Sequence, residues 1–405
     1  MNTEELKPIY TLEDHLAIKC KLDESYIDLI STWKLNKKTL KEILKTIIIN
    51  YPHYTEHDDN HANTIINNIE MLLGEERIKM LSATDTWMLL QCAYLHDFGM
   101  AILYKKIEEV WQSPEFREYI EEKKSYDADI KEAAEYIESL GEKLKDKEFE
   151  VIWPLKIRKY VTRIIANYFR LRHSELTKEY LNSMLNEWNI DLSHNNLIKN
   201  RLIKVIAQIS FIHTQDFDSV LKLDYESNGF RSDYFHPRFI AEMLRMGDLL
   251  DLDNGRYNDY VKNVVGDIPE YSEVHIEKHN SITQLLITPE LIEVKADCHK
   301  RTVYRATRDW MKWLDDEIKN LTLKWTEIIP KNLSGYAPKF KKLLYYKGEE
   351  DFNNLTDLRF QISQEKAFDL IEGSGLYKDE FVFMREFIQN ALDATKIQLW
   401  SVLKS

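Results

Sequence analysis

The stretch Leu89-Leu-Gln-Cys-Ala-Tyr-Leu-His-Asp-Phe-Gly-Met100 decides how this chain is read. Apolar residues at Met88, Leu89, Cys92, Ala93 and Leu95 recur at helical spacing, so one face of a helix is predicted to be buried. That face delivers His96 and Asp97 side by side at the helix end, with Gly99 just beyond as the expected stop. Neighbouring side chains on a helix point about 100° apart, so adjacent His and Asp residues converge on one point only near the helix end. A metal ion is such a point, because imidazole and carboxylate together suit divalent cations of intermediate hardness.

Helical periodicity continues on both sides, and residues 1–255 read as almost wholly helical. Asn60 or Asp59 is the expected cap of a helix from about His61, with Ile65, Ile66, Ile69, Leu72 and Leu73 inward and Gly74 at its end. The helix carrying His96-Asp97 should be capped near Thr84 or Asp85. Further apolar stripes lead through Ile164, Ile165 and Phe169 to His173, through Ile206, Ile209 and Ile212 to His213, and through Met243 and Leu244 to Asp248. Successive helices therefore present His61, His96, Asp97, His173, His213 and Asp248. His53 and His57, which precede His61 at helical spacing, read as decoys, and Asp248 has Arg245 as an alternative partner. Residues 104–150 are rich in Lys and Glu and read as a solvated helical insertion. They leave the His96-Asp97 helix directly and return to the His173 helix, which makes them a candidate lid.

With 405 residues the chain has room for roughly two to three domains. A net charge of -13 disfavours a broad, nonspecific nucleic-acid surface but leaves room for a small basic groove. Cys20, Cys92 and Cys298 are scattered, with neither disulfide nor zinc spacing, so a reducing cytoplasm is expected. The N-terminus is polar and acidic, unlike a signal peptide, and no apolar run approaches the ~20 residues of a membrane span.

After about residue 260 the texture changes. Ser281–Thr288 and Leu291–Ala296 are β-prone runs joined by Pro289-Glu290, a predicted hairpin. A long helix from about Thr302 to Ile328 should pack through Trp310, Trp313, Leu314, Ile318, Leu321 and Trp325. Residues 331–356 read as a linker, and Leu358–Ser363 alternates like a strand.

The set Glu56-His-Asp-Asp-Asn-His61, His96-Asp97 and Leu244-Arg-Met-Gly-Asp248 resembles the HD superfamily of metal-dependent phosphohydrolases over roughly residues 45–260. The resemblance implies that His61, His96, Asp97 and Asp248 bind a first divalent ion. It implies equally that His173 and His213 complete a second site, with Asp97 bridging. Manganese, iron or magnesium would serve, as one or two ions. Arg170 and Arg172, close to His173, are candidates to clamp phosphate oxygens. Met100 stands where many members carry Lys, and the Gly-Tyr-Pro signature of cyclic-di-GMP hydrolases is absent.

Tyr377–Ala394, with Arg-Glu386-Phe-Ile-Gln-Asn390-Ala-Leu-Asp-Ala, resembles the first ATP-site helix of the family shared by heat-shock chaperones, gyrase and histidine kinases. By that resemblance Glu386 would activate water and Asn390 would hold Mg²⁺. The later glycine-rich boxes of that family have no counterpart before Ser405. A truncation or a natural fragment is therefore expected, with ATP-Mg bound only in a longer protein.

The expected fold is mainly α: an extension over 1–44, a helical HD domain over 45–260 with its insertion at 104–150, a hairpin-plus-helix α+β connector over 261–356, and a truncated α/β sandwich ATPase segment over 357–405. The expected function is hydrolysis of a nucleotide or nucleic acid, gated by the ATPase and used in antiphage defence. The rival is a non-catalytic nucleotide- or metal-binding regulatory module of a chaperone-like ATPase. No membrane partner is expected, and a homodimer is left open.

Overall fold

Helix α4 (Ala83–Leu95) is the post around which the chain is built, and every one of its residues is buried. Being apolar nearly all round, it needs partners on every side. It finds them in α1 (Leu12–Leu22), α2 (Ile27–Leu44), α3 (Asp59–Lys79), α10 (Asn200–Ile212) and α12 (Pro237–Leu249). Ser82 caps α4 by accepting from the Asp85 N–H, a little earlier than Thr84 or Asp85 would have placed the start. Asp85 is spent elsewhere, accepting from the backbone N–H of His236 at 2.8 Å.

This computed structural model describes residues 10–348, apart from 55–56, 144–152, 195, 253–268 and 334. Glu386, Asn390 and the expected ATPase segment lie outside the described residues. The described part belongs to one unit, Met1–Gly348, which is mainly helical with small sheets. Among the described residues no helix is long and apolar enough to cross a membrane.

Asp58 caps α3 through the N–H groups of Asn60 and His61. Gly74 does not end α3. It breaks the helix at φ +70°, and a last turn resumes to Lys79. The insertion forms α5 (Tyr104–Trp111), α6 (Pro114–Lys124) and α7 (Ala128–Lys143), which lead to α8 (Trp153–Arg170). It is more than a solvated layer, since Phe116, Tyr119, Ile130 and Ala133 join the main core. After α9 (His173–Glu179) and α10 come the short α11 (Asp218–Leu221) and a two-stranded hairpin, β1 (Ser227–Asn228) with β2 (Tyr234–Phe235). This hairpin interrupts a stretch that periodicity marks as helical.

Helix α13 (Glu270–Asn280) precedes a three-stranded sheet of β3 (Ile282–Ile287), β4 (Leu291–Cys298) and β5 (Lys339–Tyr346). The hairpin β3–β4 is antiparallel as expected, whereas β5 pairs parallel to β4. A strand therefore stands where a linker was expected. A parallel pair needs a crossover, and α14 (Arg301–Leu323), followed by the short α15 (Trp325–Ile328), supplies it. Met311, Leu314 and Ile318 of α14 share a second core with Ile292, Val294, Met246 and Leu249, which ties the sheet to α3 and α12.

Candidate metal centre

Helix ends meet at the C-terminus of α4. His96 is the residue after that helix, and Asp97 opens the tight turn Phe98–Met100. His61 lies in the first turn of α3, His173 begins α9, His213 follows α10, and Asp248 sits in the last turn of α12. Gly99 is a packing device more than a helix stop. A Cβ there would stand 2.1 Å from the His173 carbonyl oxygen, so only glycine lets α9 bring His173 this close. Thr177 locks the contact by accepting from the Gly99 N–H at 2.8 Å and donating to the His96 carbonyl at 3.0 Å. Gly247 does the same for α12 against Ile65 and Ile69 of α3, bringing Asp248 up to His61.

Each of the four ring imidazoles has its Nδ1 committed. His96 donates to the Ala93 carbonyl at 3.0 Å, His173 to the Arg170 carbonyl at 2.7 Å, and His213 to the Ser210 carbonyl. His61 Nδ1 faces the buried Asp251 carboxylate. A carbonyl oxygen only accepts, so these rings carry hydrogen on Nδ1 and turn a bare Nε2 lone pair inward. The Nε2 atoms meet in pairs, His61 with His96 at 3.2 Å and His173 with His213 at 3.1 Å. Two lone pairs at that distance repel unless a proton or a cation lies between them. The donor set therefore fits a divalent ion.

Asp97 stands between the two pairs and is 4 % exposed. Its Oδ2 lies 3.2 Å from His96 Nε2 and 3.5 Å from His61 Nε2, while its Oδ1 lies 3.2 Å from His173 Nε2 and 3.7 Å from His213 Nε2. Burial alone would raise its carboxyl. In the metal-free cluster, with protons in place of metal on the facing Nε2 atoms, His96 and hydrogen bonds from His173, His57 and His61 outweigh that and hold it well below the usual carboxylate range. Burial, then the neighbouring His96 and His173, push His213 down to about 3. Burial also opposes the charged form of His173, but Asp97 overcomes it and raises that ring, so proton and metal compete for its Nε2.

Asp248 Oδ1 is 3.5 Å from His61 Nε2. Its alternative partner, Arg245, is engaged elsewhere, with Nη2 2.9 Å from Glu317 Oε2 on α14 and Nη1 donating to the carbonyls of Ile212 and Gln215. That places a cation on the C-terminal carbonyls of α10, which steadies the turn bearing His213. Ligand atoms of His57, His61 and Asp97, of His61, His96 and Asp248, and of His96, Asp97 and His213 lie in each case within 4.8 Å of one another.

His57 is the residue that sequence reasoning discounted, yet its Nδ1 lies 2.9 Å from Asp97 Oδ2. Because Asp58 caps α3, His57 precedes the helix and its spacing to His61 carries no information about its direction. Asp251 was likewise missed, although it follows Asp248 by three residues. The two arginines part company. Arg170 lines a cavity of ≈ 300 Å³ together with His57, Asp97, Met100, His213 and Trp313. Arg172 instead lies 4.0 Å over the Tyr168 ring and 5.1 Å over Tyr119, donates to the Tyr168 carbonyl, and is absent from that cavity's walls. Trp313, expected to pack, is 53 % exposed and faces the cavity from the flank of α14.

Compared with known proteins, the chain matches the family model described as HD-CE over residues 51–320, more than half of its length. No curated protein and no solved structure matches it.

Proposed function

Because the chain belongs to the HD-CE family, we propose that the cluster around Asp97 is the active centre of a metal-dependent phosphohydrolase acting on a nucleotide or nucleic acid. The observation that carries this reading is the facing of two Nε2 pairs across one buried carboxylate. His61, His96, Asp97 and Asp248 would hold one ion, and His173 and His213 would hold a second, with one Asp97 oxygen turned to each. Divalent ions bound there supply neutralisation of phosphoryl oxygens and activation of water near neutral pH.

The chain's own groups do the rest. Asp251 and three backbone carbonyls fix the imidazole tautomers, so no reorganisation is needed when substrate arrives. His57 holds a proton at Nδ1 against Asp97 Oδ2 on the cavity wall. Arg170 supplies positive charge on the cavity wall for a phosphate oxygen, and Met100 and Ile276 limit water there.

The test is hydrolysis of bis(p-nitrophenyl) phosphate, cyclic and linear nucleotides, and single-stranded DNA and RNA by the manganese-, iron- or magnesium-loaded chain. A His96→Ala/Asp97→Ala variant is the control. Metal-dependent turnover lost in the control supports the enzyme. Bound metal with no turnover of any of these substrates would favour a regulatory module.

A further inference from the structure

Beyond Arg170 lies a second, larger chamber of ≈ 620 Å³, which shares the walls His53, Tyr54, Arg170, Ser272 and His275 with the metal cavity. Among the described residues its lining carries three permanent cations, Lys123 from α6 and Arg163 and Arg170 from α8, and one acid, Asp127. In a chain of net charge -13 that is a cluster of positive charge among the described residues. Arg163 is only 8 % exposed, so its guanidinium belongs to the interior of this wall and not to a solvated surface.

Burial chiefly, and nearby cations after it, keep the neighbouring histidines neutral. Burial, then Arg163 and Lys159, push His53 down to about 4, and burial, then Lys278 and Arg170, do the same to His275. His53 Nδ1 is buried at the junction of the two cavities with no hydrogen-bond partner among the described residues. Rings stand beside the cations: Lys123 Nζ is 4.9 Å from the Tyr126 ring centre, and the Arg170 guanidinium carbon is 5.5 Å from that of Tyr54. Cations that match phosphate geometry, next to flat aromatic faces, are the chemistry that recognises nucleotides.

Resting on the metal-centre reading above, we propose that this chamber is a second phosphate subsite, so that the substrate carries at least one phosphoryl group beyond the one presented to Asp97. A nucleoside polyphosphate and a short single-stranded oligonucleotide share that chemistry. The insertion is then the wall that selects substrate, because Lys123, Tyr126 and Asp127 come from α6 and the turn into α7.

The experiment measures equilibrium binding to the whole manganese-loaded chain, with free manganese in excess. The probes are thymidine monophosphate, a methylene-bridged thymidine triphosphate analogue and a phosphorothioate-linked thymidine dinucleotide bearing a 5′-phosphate. At least one of the two probes carrying more than one phosphoryl group should bind about tenfold or more tighter than the monophosphate, the value of one added charge-assisted contact. Whichever probe does so identifies the source of the second phosphate. Lys123→Glu and Arg163→Ala should erase that ratio without loss of manganese, and Arg163→Lys should keep part of it. Lys123 is half-buried on the outer helix, so its reversal reads the subsite even if Arg163→Ala fails to fold. Equal affinity for all three probes, or a ratio that survives Lys123→Glu, overturns the proposal. Turnover of the full substrate set named above, from bis(p-nitrophenyl) phosphate to single-stranded DNA and RNA, is read separately. An intact ratio without turnover would sink the catalytic reading and leave the subsite standing, whereas turnover without a ratio would sink the subsite alone.

Discussion

The His61–His96 pair and the His173–His213 pair face the same carboxylate, yet they are held differently. His61 is backed by the buried Asp251 carboxylate and has Asp248 beside its Nε2, and neither His61 nor His96 lines the cavity. His173 and His213 are backed only by backbone carbonyls, and both line the cavity. The first half carries the extra carboxylates and seals its imidazoles, showing the cavity only Asp248 beside the shared Asp97; the second is backed by neutral groups and opens both its imidazoles to the cavity. A carboxylate behind an imidazole raises its basicity, so the sealed half should bind its ion more tightly, and the open half should exchange its ion and meet substrate.

The largest expected effect removes what the halves share. Asp97→Asn should reduce bound metal to near zero and slow hydrolysis by roughly 10³-fold, the order seen when a charge-stabilising group leaves a water-excluded site. Metal analysis and kinetics on a variant with unchanged circular dichroism check this, and full metal content would break the shared-carboxylate account. Next, His213→Ala should lose about half the metal, all of it from the open half, because a ligand's removal acts on its own site. If metal content stays whole while activity falls, the open half serves substrate and the centre holds one ion.

Asp251→Asn sharpens the comparison from the other side. It leaves a neutral partner behind His61, and metal affinity of the sealed half should weaken about 10- to 100-fold with the open half unaffected. A chelator competition curve reads the two components. The smallest effect is Arg172→Ala. Losing its stack on Tyr168 should cost about 1 kcal/mol of stability with little change in kcat/KM. Arg170→Ala should lower kcat/KM, and equal losses of activity in the two variants would show that both arginines reach substrate.

Much of this was legible in the chain because α4 sits at the centre: an apolar stripe that must be buried also fixes where His96 and Asp97 emerge. The same logic, apolar helix then candidate ligand, marked His173, His213 and Asp248, which the fold brings to Asp97 and His61. It failed where periodicity stops. His57 lies before the cap of α3, and Arg172 lies beyond the end of α8, so neighbours and not spacing decide where they point. Gly99 looked like a helix terminator, but its role depends on α9, a helix far along the sequence. β5 escaped notice because none of its residues is buried, which removes the alternation that marks a half-buried strand, and because its pairing with β4 is long-range. Trp313 was assigned to packing because it lies on a strongly amphipathic helix, on whose flank it in fact stands exposed.

The central claim is that Asp97 serves two metal sites of unequal strength. Metal-stripped chain titrated with manganese, followed by calorimetry and checked by elemental analysis, tests it most directly. The account expects saturation at two ions per chain in two resolved steps, the weaker step vanishing in His213→Ala and the stronger weakening in Asp251→Asn. Saturation at one ion per chain, unchanged in His213→Ala, would contradict it.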